Sequence, residues 1–498
     1  MNVNPITRLD YPDPDVIRVE DTYYMVSTTM HFMPGCEILQ SFDLVHWEHA
    51  TYVYETLDHT DAQQLKSGQN IYGQGMWAAS LRYHEGRFYI CFVANDTRKT
   101  YLYTSEKIDG PWKKQLIEGF YHDGSLLFDE DGRNYIVYGN DEIWITELNE
   151  DLTAPKKDGL HRLLVSDHKN PELGYEGSHI QKINGYYYIF LVHSLRDRWM
   201  RTEACFYSDS LEGEFTGGDV LCDDRGYCGQ GVAQGGIVDT PDGKWYAMLF
   251  QDSGAVGRIP ILLPVTWKDH FPFFGQNGHV PEEIEVHSTR PGYIYQPLVG
   301  SDDFCNGLLP RWQFNHDPDP RYYHLDALQG TYTITTREVC TELTQAVNTL
   351  TQRMSYPSCA AEVTVDASAL KEGDVAGLCA LQSCYAAVGI TKHHGKYEVL
   401  MLDKKEDGIL DMTEGTVVES HQMDFRLEAD FCNMKDEARC YYRVNKGDWL
   451  PIGTVHKLYF KLDHFTGCRF GLFCYAAEET GGSACFRDFK YYDVDEIS

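Results

Sequence analysis

Positive charge is what this 498-residue chain has least of: 43 lysines and arginines face 75 aspartates and glutamates, a formal charge of −32. A surface of that sign repels phosphate backbones and anionic lipid headgroups, so nucleic acid and membrane are not expected as partners. No apolar run approaches membrane-spanning length. The opening "MNVNPITRLDYPDPD" lacks the basic start and apolar stretch of a signal peptide, which makes a cytoplasmic location the expectation. Helical periodicity is weak throughout and no tract is of low complexity. Neither C-x-x-C pairs nor H-E-x-x-H is present, so no zinc spacing is available. The fifteen cysteines are odd in number and follow no framework, the pattern of free thiols. "GQGMWA", residues 73–78, satisfies G-x-G-x-x-A on paper but opens a strand instead of a helix, which removes the phosphate-binding geometry.

What the chain does have is tyrosine, 34 of them, and 43 glycines, a mix that favours strands joined by turns. Five segments share a small or acidic residue, an apolar strand, a short polar turn and an aromatic pair opening a second apolar strand. They are "DPDVIRVEDTYYMVSTT" from Asp13, "AASLRYHEGRFYICFVA" from Ala78, "DGSLLFDEDGRNYIVYG" from Asp123, "EGSHIQKINGYYYIFLV" from Glu176 and "QGGIVDTPDGKWYAMLF" from Gln234. Each reads as a hairpin, with "EDT", "HEG", "DEDG", "NG" and "PDG" as the turns. The aligned Tyr24, Tyr89, Tyr135, Tyr188 and Tyr246 lie 65, 46, 53 and 58 residues apart, room for one four-stranded sheet per unit. Five such sheets around an axis predict a five-bladed β-propeller over residues 1–280; a β-sandwich with accidental internal similarity is the alternative. Residues 281–300, rich in Pro and Gly, read as a linker. From 301 to 498 strands such as "GTYTITT", "CAAEVTVDA" and "RFGLFCYA" predict an antiparallel β-sandwich, making the whole chain all-β.

The five repeats bring Asp13, Ala78, Asp123, Glu176 and Gln234 into register at the start of their inner strands, where a propeller would gather them around one mouth of its channel. Three of the five are carboxylic acids. Uncompensated carboxylates raise one another's pKa and cost stability, so a fold that keeps three together is expected to use them. Glycoside hydrolysis needs this kit: a protonated acid for the leaving oxygen and an ionised carboxylate across the sugar for water or direct attack. Singly, Asp13 and Asp123 also suit turn initiation. A sugar-binding propeller whose acids merely line a channel is the non-enzymatic alternative.

With these motifs in hand, the chain resembles glycoside hydrolase family 43, the inverting β-xylosidases, α-L-arabinofuranosidases and arabinanases. "YPDPDVIRVEDTYYMVST", "HDGSLLFDEDGRNYIVYG" and "YEGSHIQKINGYYYIF" match three of its blades. The resemblance implies Asp13 as general base, Asp123 as pKa modulator and Glu176 as general acid. It also implies a sugar pocket contacted by Trp77 in "GMWAASLRYHEGRFY", Arg258 in "GAVGRIPILLPVTW" and Phe32 in "HFMPGCEI". Read without it, Trp77 and Phe32 are equally core residues and Arg258 an interblade salt bridge. The second half resembles the concanavalin-like sandwich of the β-xylosidase branch, which in those relatives helps close the pocket and points to exo action on oligosaccharide ends. Many relatives place a histidine at the fifth blade's strand start, facing a central metal ion or water; here the segment is "GVAQGGIV". No cofactor is therefore required, and calcium stays open only through the Gln234 amide oxygen. β-Xylosidase is the first expectation, arabinofuranosidase or both the second. Inversion expects roughly 6.5–9.5 Å between base and acid. The retaining fructan hydrolases need an "NDPNG"-type opening that "YPDPDVI" lacks. The oligomeric state is open and a homo-oligomer is compatible with the sequence.

Overall fold

The computed structural model describes residues 2–493. Residue 1 of the predicted propeller segment and residues 494–498 of the predicted sandwich segment lie outside the described residues. Apart from four single-turn 3₁₀ segments, every element among them is a strand. No described helix is long and apolar enough to cross a membrane, and all fifteen cysteines are free thiols.

The first half forms five four-stranded antiparallel sheets, each a meander from an inner to an outer strand. The inner strands are Asp15–Val19, Met76–His84, Ser125–Phe128, Glu176–Ile183 and Val232–Asp239. Five separate apolar cores lie between neighbouring blades. One, holding Val16, Tyr23, Tyr246 and Leu262, joins the fifth blade to the first and closes the ring. All five aligned tyrosines show why the repeat exists: Tyr24, Tyr89, Tyr135, Tyr188 and Tyr246 each pack into one of these seams. Burying each side chain stabilises by about 1.5–3 kcal/mol, repeated around the circle. Asn2–Val3 pairs with Glu283–Ile284 after the fifth blade, and Arg18 bridges to Asp239 across the same seam.

Residues 281–300 do not hang free. Thr289 and Arg290 bond to Phe42 and Asp21 of the first blade, and Tyr295 Oη accepts the Phe42 N–H at 2.8 Å. The second half is a sandwich of a seven-stranded and a nine-stranded antiparallel sheet, with one continuous core between them. The ninth strand comes from the propeller: Phe32–Met33 pairs with Gln313–Asn315. A buried ion pair, Arg353 to Glu37 at 2.8 Å, ties the halves together nearby.

Candidate active site

At one mouth of the propeller channel lies a cavity of ≈ 690 Å³ whose wall includes Asp13, Asp123, Glu176, Trp77, Arg258 and Gln234. Five of the six candidate catalytic and sugar-contacting residues, with Gln234, thus share one concavity. Another of similar size, ≈ 670 Å³, draws only on sandwich residues such as Asp403, Glu406, Asp407 and His456, and none of the six candidate residues lines it.

The cross-strand register corrects one alignment. Tyr24, Tyr89, Tyr135, Tyr188 and Tyr246 pair with Ile17, Arg82, Leu127, Gln181 and Val238. Counting back from these partners puts Asp13, Ala78, Asp123, Gly177 and Gln234 at equivalent places, so Glu176 stands one residue before the ring position. The cause is the turn: Asn184–Gly185 is a two-residue connection between Ile183 and Tyr186, shorter than the turn after Phe128. Asp13, Asp123, Gly177 and Gln234 all have left-handed backbone, with φ of 53°, 48°, 66° and 63°. Such conformations cost energy outside glycine and concentrate where function over-determines the chain. At Gly177 a Cβ would also stand 2.8 Å from the Gln234 side chain.

Each carboxylate has its own partners. Asp13 is buried; its Oδ2 accepts from Thr28 Oγ1 at 2.7 Å and its Oδ1 from Arg258 Nη1 at 3.1 Å. Asp123 Oδ2 accepts the Gly177 N–H at 2.9 Å. Glu176 Oε2 accepts from Asn140 Nδ2 at 2.8 Å. Between the last two sits His122, its Nε2 3.6 Å from Asp123 and 3.5 Å from Glu176. The Asp123 charge, helped by Glu176 and opposed by burial, raises His122 to about 9, so the imidazole is protonated at neutral pH. Burial pushes Asp123 up to about 6, with His122 opposing and the charges of Glu176 and Asp13 adding to the push. Nothing in "YHDG" but adjacency to Asp123 singled out His122.

The sandwich completes the wall. Phe465 faces Trp77, ring centroids 5.4 Å apart, and lies 4.4 Å from the Arg258 guanidinium carbon, while Arg258 Nη2 donates to the Phe465 carbonyl at 3.3 Å. Asp10 holds this junction: its Oδ1 accepts the Arg258 N–H at 2.7 Å and its Oδ2 the Gly467 N–H at 2.8 Å. Gly467 comes close enough that a Cβ there would stand 2.1 Å from the Val256 carbonyl oxygen. Trp77 Nε1 and Arg258 Nε are buried without a hydrogen-bond partner among the described residues, two donors suited to a sugar hydroxyl.

Phe32 is the exception. It is 2 % exposed, packed with Tyr385, Phe473 and Val375 of the sandwich beneath the Arg469 guanidinium. Its "HFM" segment supplies the added sheet strand, so it is a core residue and not an aromatic wall of the pocket; Trp77 and Phe465 face each other there instead.

The channel beneath the ring does not suit calcium. Arg82 fills it, its Nη1 donating to Asp15 Oδ2 and the Leu81 carbonyl, its Nη2 to Ser125 Oγ and the Ile180 carbonyl, and its Nε to the Leu126 carbonyl. All five guanidinium donors are used. Asp15 also meets His179 Nδ1 at 3.1 Å. A calcium ion wants six to eight oxygen ligands, whereas the carboxylate here already has its cation. Gln234 lines the cavity, its N–H donated to the buried Glu203 Oε2 at 2.7 Å. His122, Asp123 and Glu176 have ligand atoms within 4.8 Å of one another, and a cation held there would have to displace the imidazole proton.

Comparison with known proteins agrees with this geometry. Residues 3–272 match the family described as glycosyl hydrolases family 43, and residues 301–492 the beta xylosidase C-terminal concanavalin A-like domain. The chain is 26% identical to a beta-xylosidase of Formosa agariphila, over 99% of this chain and 89% of that one. It is 24% identical to a xylosidase/arabinosidase of Butyrivibrio fibrisolvens, over 99% of each. Among solved structures, a bifunctional GH43-CE protein of Bacteroides eggerthii superposes with a TM-score of 0.93 at 42% identity, covering 100% of this chain; the chain spans 64% of that longer protein. A GH43 glycoside hydrolase engineered to display endo-xylanase and exo-arabinofuranosidase activity superposes at 0.88 with 27% identity over 99% of each.

Proposed function

The chain belongs to glycosyl hydrolase family 43, and from that premise we propose that it is an inverting, exo-acting β-xylosidase releasing xylose from the non-reducing ends of xylo-oligosaccharides. The observation that carries this is the convergence of Asp13, Asp123 and Glu176 on one cavity walled by Trp77, Arg258 and Phe465. Asp13, held by Arg258 and Thr28, takes a proton from water attacking the anomeric carbon. Glu176 gives a proton to the departing glycosidic oxygen. Asp123 keeps the Glu176 segment in place through the Gly177 N–H and shares the local charge with His122. Trp77 presents an apolar face to the sugar while Trp77 Nε1 and the Arg258 guanidinium address hydroxyls.

α-L-Arabinofuranosidase activity in the same cavity is the second reading, favoured because the relatives carry both names. Hydrolysis of 4-nitrophenyl β-D-xyloside and α-L-arabinofuranoside, side by side with Asp13→Ala, tests both. Release from either that disappears in the variant supports the hydrolase and ranks the sugars; no release from either, nor from xylo-oligosaccharides, sinks it. The anomer first seen by NMR tests inversion.

A further inference from the structure

Depth within the cavity follows exposure. Asp13, Asp123, Gln234 and Arg258 are buried at its floor, whereas Trp199, 44 % exposed, and Leu462, 74 % exposed, stand at its mouth with Arg98 and Phe120. On the proposed exo mode the cleaved sugar occupies the floor, so the leaving group meets the mouth.

The charge of that wall runs against the molecule. A chain of −32 surrounds its three cavity carboxylates with Arg98, Arg201, Arg258 and His122. Arg201 is held by Asp252 at 2.8 Å and Arg258 by Asp13. Arg98 is different. Its side chain is exposed and its guanidinium lies 3.8 Å over the Phe120 ring. Its polar contact is a long one, Nη1 to Asn95 Oδ1 at 3.5 Å, and among the described residues it forms no ion pair with a carboxylate. Its neighbours explain part of this: Asp58 is taken by Lys99 and Lys114, and Asp96 accepts from Gln63. Stacking on an aromatic ring fixes the guanidinium plane and leaves its N–H edge for a planar anion, the geometry that recognises a carboxylate.

We propose that the leaving-group side of the cavity selects carbohydrate bearing a carboxylate, a uronic acid unit, with Arg98 stacked on Phe120 as its anchor. This rests on the hydrolase reading above and names the substrate class within it. Trp199 and Leu462 supply the apolar surface on which the neutral part of the leaving group lies.

The test compares xylo-oligosaccharides of equal length with and without a uronic acid on the leaving-group residue, and the methyl ester of the acidic one. For wild type, kcat/KM for the acid is expected about tenfold above the neutral and esterified substrates at low ionic strength, shrinking as salt screens the pair. In Arg98→Gln the ratio falls to about one, and in Arg98→Lys, which keeps the charge without the fork, it falls between. Circular dichroism and Tm verify that both variants fold. A wild-type ratio at or below one, or a ratio unchanged in Arg98→Gln, overturns the proposal while neutral turnover leaves the hydrolase standing. Failure to cleave any of the substrates overturns the hydrolase reading and the selectivity with it.

Discussion

Asp123 accepts the backbone N–H of Gly177 at 2.9 Å, which fastens the peptide that carries Glu176 to a carboxylate of the neighbouring blade. The bond separates two roles of one side chain. Asp123→Asn keeps an oxygen for Gly177 but loses the charge; Asp123→Ala loses both. Stability by chemical denaturation should change little in the first and fall by about 1–3 kcal/mol in the second, where a buried N–H is orphaned. In both, the His122 pKa should drop from about 9 toward its ordinary value, because the Asp123 charge is the main influence raising it. Imidazole NMR titration reads that shift.

His122 itself makes stability depend on pH with a defined sign. Its folded pKa lies above the unfolded value, so its contribution is complete below about 6.5 and disappears as pH climbs through about 9. The Tm difference between wild type and His122→Ala is expected to be largest near pH 6 and smallest near pH 10. A gap that widens with pH contradicts the pairing.

Asp13→Ala and Glu176→Ala should each lower kcat by about 10²–10⁴-fold with the fold retained. Leaving groups tell them apart. An aryl glycoside whose phenolate departs without help should rescue Glu176→Ala more than a sugar leaving group does, and should not rescue Asp13→Ala. Equal losses across leaving groups would remove Glu176 from the acid role.

Asp10 joins the strand of Arg258 to the sandwich loop of Phe465. Asp10→Asn, which turns one acceptor into a donor facing an N–H, should raise KM more than it lowers kcat, since it loosens the wall without touching the reacting atoms. A pure stability loss with KM unchanged would make Asp10 structural alone.

Arg82 predicts indifference to metal. Dialysis against a chelator, or added calcium, should alter neither Tm nor turnover. Arg82→Met leaves Asp15 buried without its arginine and should cost about 3–5 kcal/mol.

Much of this was legible in one dimension because a propeller repeats. Hairpin turns and a tyrosine in each second strand announced five blades, and the same alignment set Asp13 and Asp123 at equivalent places. The alignment misjudged Glu176 by one residue because turn length, not strand pattern, sets the offset between inner strand and tyrosine. Phe32 was misread because an aromatic near a blade edge looks alike whether it walls a pocket or joins a neighbouring sheet. His122, Asp10 and Phe465 carried no local signal, since each matters through a partner distant in sequence or through a charge that only burial makes strong.

The sequence by itself determined the all-β character, the blade count and the carboxylate set, since these follow from periodicity, turn chemistry and residue type. Tertiary structure alone decided that His122 stands between Asp123 and Glu176, that an arginine occupies the channel, and which sandwich residues finish the cavity. Those are matters of distance and dielectric: Asp10 and Gly467 are 457 positions apart in the chain and one hydrogen bond apart in the fold.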